Sequence, residues 1–323
     1  MSPSRPTRPT EHTVPRPRRA AAGRPRLRGA ETGFLMAVAS MTSIQLGLAL
    51  AVPLFGRLGA LGTAGLRLGW GGLLMLVLIR PRLRAFTRRD LLACAVLGAA
   101  TAGMMVFFML AVAHLPLGTA SALEFLGPLA VALCGRGAGR KVWTAPAALG
   151  VLLLTEPWHG GLDATGLVCA LAAAGCWALY ILLTQRVGDR VTGFSGLAVS
   201  MPVAGVLGVL VAGPSLAGHL TWQALGTMLL LAAVSPVLPL ALEFLALRRL
   251  TTSAFGTLMS LEPAIALLIG LLVLGQTPGL TAAAGVACVV VAGAGATRTG
   301  ARTSGPEPAP AADDREPCPA GTG

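Results

Sequence analysis

Four ionisable side chains stand inside runs that otherwise read as hydrocarbon: Arg67 in TAGLRLGWGG, Glu124 in LPLGTASALEFLGPLAVAL, and Glu243 and Glu262 further on. A charge near the centre of a bilayer costs ~2.5–3.5 kcal/mol on insertion scales, so such a residue is by default held for a partner, a solute or a proton. Glu124 has small neighbours in Thr119, Ala120, Ser121 and Gly127, which leaves room beside the carboxyl for water or a solute. It lies about six residues, ~9 Å at helical rise, from the end of its run. Glu262 sits about ten residues into its own run, immediately before Pro263. Either acid could carry a proton. The alternative for both is an ion pair with Arg67 that locks helices together. Arg67 in turn could meet a cavity acid or a solute carboxylate, or snorkel to the headgroups. Glu243 is expected to pair with Arg248 or Arg249 at the membrane edge and to make no solute contact. Gln45, Trp177 and Tyr180, the one tyrosine, are further cavity candidates, because a buried amide or phenol needs a partner. Helix–helix hydrogen bonding is the alternative, above all for Ser40 and Thr42. Phe107 and Phe108 are expected to pack in the core or against lipid, with a place on the cavity wall as the alternative.

The elements that must position these groups follow from composition. The chain has 323 residues, 54% hydrophobic and 12% charged, which is not the balance of a soluble domain. Apolar runs at about 33–54, 60–79, 91–113, 118–135, 142–155, 165–185, 192–213, 223–245, 252–274 and 278–297 are close to the length that crosses a ~30 Å hydrocarbon core. The expected fold is an all-α integral membrane protein of ten transmembrane helices. With the N-terminus inside, 23 of the 25 basic residues fall on the inner side, Arg57 alone falls outside, and Arg67 lies within a span. The positive-inside rule then predicts a multi-pass protein of the plasma or inner membrane with both termini cytoplasmic. The net charge of +12 follows that topology and meets anionic lipid; nucleic acid is not an expected partner.

Residues 1–32 and 298–323 are rich in Pro, Arg, Gly and Ala and are expected to be disordered tails. The first run has full span length, so no cleaved signal is expected. Cys169 and Cys176 read as small packing residues. No metal, cofactor or disulfide is expected, and the four histidines look incidental. Phosphate loops, nucleophile elbows and zinc spacings are missing from the sequence, and there is no cluster of acids or histidines at one membrane surface, so an enzyme is not expected. The expected partners are a small-molecule substrate, protons and the lipid bilayer; a homodimer is left open.

Self-comparison divides the chain. Ala111–Leu154 set against Ala246–Val289, shifted by 135 without gaps, gives eleven identities in 44 positions, among them Pro128 with Pro263 and Gly150 with Gly285. Residues 33–155 and 165–297 are thus two five-helix repeats, and since five is odd the second enters the membrane from the opposite side. Inverted repeats suit alternating access. The matched prolines are candidate hinges, because each removes a backbone hydrogen bond; tolerance of Pro without functional meaning is the alternative.

The stretches SIQLGLALAVPLF (43–55), LPLGTASALEFLGPLAVAL (115–133), CWALYILLTQRVG (176–188) and LALRRLTTSAFGTLMSLEPAIALLIGLLVLG (245–275) resemble the ten-helix EamA-type drug/metabolite transporters, within them the threonine/homoserine exporter branch. The resemblance covers nearly the whole chain between the tails. It implies export of small amino acids driven by the proton gradient, with a drug or other small metabolite as the alternative cargo. Two departures bear on substrate identity and not on fold: Met105-Val106 stands where the branch carries an Asn-Tyr pair, and Gln276 stands where it carries an acid.

Overall fold

The computed structural model describes residues 25–81, 86–134, 142–156, 163–188, 195–216, 220–247, 249–250 and 252–300. The outermost tails and several connections, with Arg248 and Cys318, lie outside them. All regular structure among the described residues is helical. Apolar chain in lipid has no water to satisfy its peptide groups, and a helix satisfies them within one segment.

In chain order the helices are α1 (Pro25–Ala49), α2 (Phe55–Ile79), α3 (Arg88–His114), α4 (Leu117–Glu124), α5 (Leu126–Cys134), α6 (Thr144–Thr155), α7 (Ala164–Gly188), α8 (Ser195–Leu216), α9 (Trp222–Ala232), α10 (Leu238–Leu247), α11 (Thr252–Met259), α12 (Glu262–Leu274) and α13 (Leu280–Gly300). Seven helical stretches among the described residues are long and apolar enough to cross a membrane, the first of them joining α1 and α2. α1 starts at Pro25, ahead of the span expected from residue 33.

Local chemistry sets several boundaries. A capping box starts α3: Thr87 Oγ1 accepts from Asp90 N, and Asp90 Oδ2 accepts from Thr87 N at 3.0 Å. Thr221 caps α9 in the same manner, through Ala224 N. Gly275, at φ 67°, ends α12 in the left-handed region that glycine enters without penalty.

Three expected spans are broken. The run 118–135 divides at Phe125, and 252–274 divides at Ser260-Leu261. In each case the break lies just before a proline, whose missing N–H leaves the carbonyl four residues back, Glu124 or Met259, without its helical donor. The run 223–245 is interrupted by a π-type turn at Ala233–Val237, in which Ser235 is extended at φ −154°, ψ 102°. Pro236 follows it, and a residue before proline avoids the helical region.

Packing inverts the soluble pattern. Leu73, Val77, Leu92, Leu210 and Leu272 face outward, while Ser40, Gln45, Arg67, Glu124, Ser235 and Glu262 are buried. α2 lies along α8, α3 along α7 and α8, α1 along α10, α4 against α12, and α6 along α13. One end is tied across the chain: Leu117 N donates to Gln276 Oε1 at 2.9 Å, Thr281 donates to Glu156, and His114 pairs with Asp163 at 3.2 Å. The N–H groups of Gly166 and Thr165, together with His114, hold the Asp163 carboxyl below the usual range.

Candidate functional site

A cavity of about 350 Å³ lies in the middle of the bundle, within the roughly 300–1,000 Å³ of small-molecule sites. Its wall brings together every binding or coupling candidate read from the sequence: Gln45 from α1, Arg67 from α2, Glu124 from α4, Trp177 and Tyr180 from α7, and Glu262 from α12. Pro128 and Pro263 lie just beyond it, past the two helix breaks.

Arg67 is 1% exposed, so it does not snorkel. No carboxylate pairs with it; the one ion pair among the described residues is His114 with Asp163. The helix lock that the sequence left open is therefore corrected. A neutral partner holds the guanidinium instead: Nε donates to the Ser235 carbonyl at 3.0 Å, and Nη2 donates to Ser235 Oγ. The extended backbone of Ser235 lets one residue offer both acceptors. Ser43 Oγ fastens the same irregular turn to α1 through the Val234 carbonyl at 2.8 Å.

Glu262 stands in the first turn of α12, where Oε1 accepts from Gln45 Nε2 at 3.2 Å. Glu124 closes α4 and makes no hydrogen bond among the described residues. Immediately after it, Phe125 meets Trp177 edge to face, with ring centroids 6.1 Å apart, which sets one side of the pocket beside the acid. Buried side-chain atoms without a hydrogen-bond partner include Gln45 Oε1, Arg67 Nη1 and Glu262 Oε2, all in residues on this wall. Buried polar groups are rarely left so, and three of them share this one cavity.

Glu243 is the clear misreading. It was expected at the membrane edge with Arg248 or Arg249, yet it lines the cavity and accepts from Ser40 Oγ at 3.0 Å; Arg248 lies outside the described residues. The reason is tertiary. Ser40, on α1, also donates to the Pro239 carbonyl, and this contact turns that face of α10 inward. Phe108 is buried on the wall as well, while Phe107 stays exposed. Sequence reasoning also missed Ser235 and four methionines, Met75, Met104, Met201 and Met259, whereas Met105, singled out in the sequence, does line the cavity. The signal for Ser235 was the pair Pro236 and Pro239 inside an apolar run; the four methionines carried none.

An apolar exterior around a central cavity, itself mostly apolar but carrying several ionisable side chains, belongs to a multi-pass membrane protein. Residues 164–297 match the EamA-like transporter family. The chain is 38% identical over 273 residues to the threonine/homoserine exporter RhtA of Salmonella typhimurium, and 37% identical to RhtA of Escherichia coli K12, in each case over 82% of this chain and 91% of the relative. A solved protein crystal structure shares the fold at a TM-score of 0.53 and 18% identity, over 84% of this chain and 98% of its own. This chain belongs to the EamA-like transporter family. It is a transporter and not an enzyme.

Proposed function

We propose that this protein is a secondary active exporter of small amino acids, threonine and homoserine among them, working by proton antiport with alternating access in the inner membrane. The cavity is the observation that carries the reading: it gathers one guanidinium, three carboxyls and an amide in a space the size of a small metabolite. The names of the relatives supply the substrate class.

The ten-span inverted arrangement has support in reciprocal contacts. A Cβ placed on Gly150 would lie 3.0 Å from the Gly285 carbonyl, and one on Gly285 would lie 3.0 Å from that of Gly150. Their further neighbours are Val289 and Leu154, again a pair related by the 135-residue shift. Such mutual contact is what a two-fold relation produces. Helix packing agrees: α3 on α7 has its counterpart in α10 on α1, and α3 on α8 in α9 on α2.

The cavity wall includes Met75, Tyr180, Leu197, Met201 and Glu243, all in the halves of their helices away from the tied end. If the positive-inside asymmetry holds, that half faces the cytoplasm and the ties close the outer side, as alternating access requires of an inward-facing state. Within this scheme Glu124, lacking a fixed partner, carries the proton, Pro128 and Pro263 mark the bending points, and Trp177 and Tyr180 wall the substrate. Reporter fusions after Thr297 are expected to be active only with a cytoplasmic reporter; activity confined to the periplasm would overturn the topology.

A second reading, export of a drug or other small metabolite, is favoured by the five methionines, whose flexible thioethers adapt to varied apolar solutes, and by Met105 on the wall. One experiment separates the two. Purified protein in proteoliposomes, loaded in turn with labelled threonine, homoserine, nucleosides and cationic drugs, is expected to release the two amino acids under an imposed proton gradient. Release of drugs or nucleosides in preference would support the second reading.

A further inference from the structure

Resting on the amino-acid reading above, we propose that Arg67, positioned by Ser235, is the subsite for the substrate's carboxylate, and that the Gln45–Glu262 pair receives its ammonium group. Arg67 is the one cation on the cavity wall. A guanidinium is a planar fork with two edges that each match a carboxylate. Ser235 occupies the edge made by Nε and Nη2, using its carbonyl and its hydroxyl, and Nη1 is left without a partner. Because those two acceptors are neutral, the positive charge of the group stays uncompensated, and a solute carboxylate on the remaining edge supplies both the charge and the acceptors.

The opposite pole has complementary chemistry. One hydrogen bond from Gln45 Nε2 to Glu262 Oε1 aligns the two side chains, and Gln45 Oε1 and Glu262 Oε2 both lack donors. Two neighbouring acceptors, one on a carboxyl, suit an ammonium group, which has three N–H donors and no acceptor. Both poles are tied to α1: it carries Gln45, and its Ser43 fastens the irregular turn that presents Ser235. The substrate would therefore bridge α2 and α12 across α1, and its side chain would meet the methionine and aromatic wall. Recognition of the backbone zwitterion by fixed groups, and of the side chain by an adaptable wall, assigns the class as α-amino acids with small uncharged side chains.

The test is counterflow in proteoliposomes of the full chain, with three compounds sharing one skeleton: L-threonine, L-threoninol, which lacks the carboxylate, and 3-hydroxybutyrate, which lacks the amine. A site built to hydrogen-bond a polar group discriminates strongly against analogues without it, so each analogue is expected to compete at least about tenfold more weakly than threonine. Arg67→Gln should bring threonine down to the level of threoninol and leave threoninol unchanged. Ser235→Ala should raise the half-saturating concentration of threonine without changing the maximal rate or the threoninol value, and Ser235→Thr should restore it. Should Arg67→Gln fail to fold, the analogue series on the unaltered protein and the Ser235 variants still decide. Equal competition by threonine and threoninol, or an equal loss for both in Ser235→Ala, overturns the subsite alone. Absence of any threonine or homoserine exchange by the unaltered protein overturns the functional reading beneath it.

Discussion

The two broken helices carry their acids on opposite sides of the break. In the first half Glu124 is the last residue of α4; in the second Glu262 is the first residue of α12. The position that matches Glu262 is Gly127, which packs against the α7 backbone at the Ala174 carbonyl with no room for a Cβ. The position that matches Glu124 is Met259, an apolar part of the cavity wall. One scaffold position thus holds a close helix contact in one half and a carboxyl with its amide partner in the other. A carboxylate in the first turn of a helix meets unsatisfied N–H groups, and one in the last turn meets carbonyl groups. Glu262 therefore sits at the favourable end of its helix and accepts from Gln45, while Glu124 has neither advantage. The shared prolines mark a break in each half, and in the scheme proposed above the differing side chains around it give the two acids different work: Glu262 would hold a cation in place, and Glu124 would exchange a proton.

The sharpest break in that comparison comes from removing the fixed acid. Glu262→Gln is expected to cut both exchange and gradient-driven accumulation of threonine by about 30-fold or more, since removing one partner of a buried charged hydrogen bond costs ~2–5 kcal/mol. Counterflow and accumulation assays on the same vesicles measure both. Gly127→Val comes next. Its side chain would press on the α7 backbone, and overpacking of this kind costs ~1–3 kcal/mol; thermal unfolding in detergent should show the loss, whereas Met259→Val at the matching position should be nearly silent. If the two tolerate substitution equally, the contrast between the halves is wrong. The smallest effect tests what the halves share. Gly150→Ala and Gly285→Ala should destabilise by similar amounts, ~1 kcal/mol each, and the double variant should depart from their sum, because they touch one another. Additive and unequal losses would break the two-fold relation.

Much of this comparison was legible in the sequence, and the rest was not for identifiable reasons. Arg67, Glu124 and Glu262 announced themselves because a charge in an apolar run has few explanations, and Gln45 followed from the same logic. The breaks at Phe125 and Ser260-Leu261 were signalled by Pro128 and Pro263, although each run was expected as one helix. Glu243 was misread because nearby arginines offered a local partner, and its true partner, Ser40, lies 203 residues away. For Ser235 the nearby Pro236 and Pro239 marked an irregular turn but not its role. Its importance comes from an irregular turn meeting a guanidinium from α2, a contact that periodicity and composition do not encode. The methionine wall was silent for a similar reason, since Met fits core and lipid faces alike.

The central claim, that the unpartnered acid couples the cycle to protons, rests on Glu124. Gln keeps the shape of Glu and its hydrogen bonding but cannot titrate. Proteoliposomes bearing Glu124→Gln should exchange labelled threonine across the membrane without a gradient at close to the unaltered rate, and should fail to concentrate it when a proton gradient is imposed. Gradient-driven accumulation equal to that of the unaltered protein would contradict the account and move the proton to another group; loss of exchange along with accumulation would contradict it differently, by making Glu124 part of the substrate's own binding site.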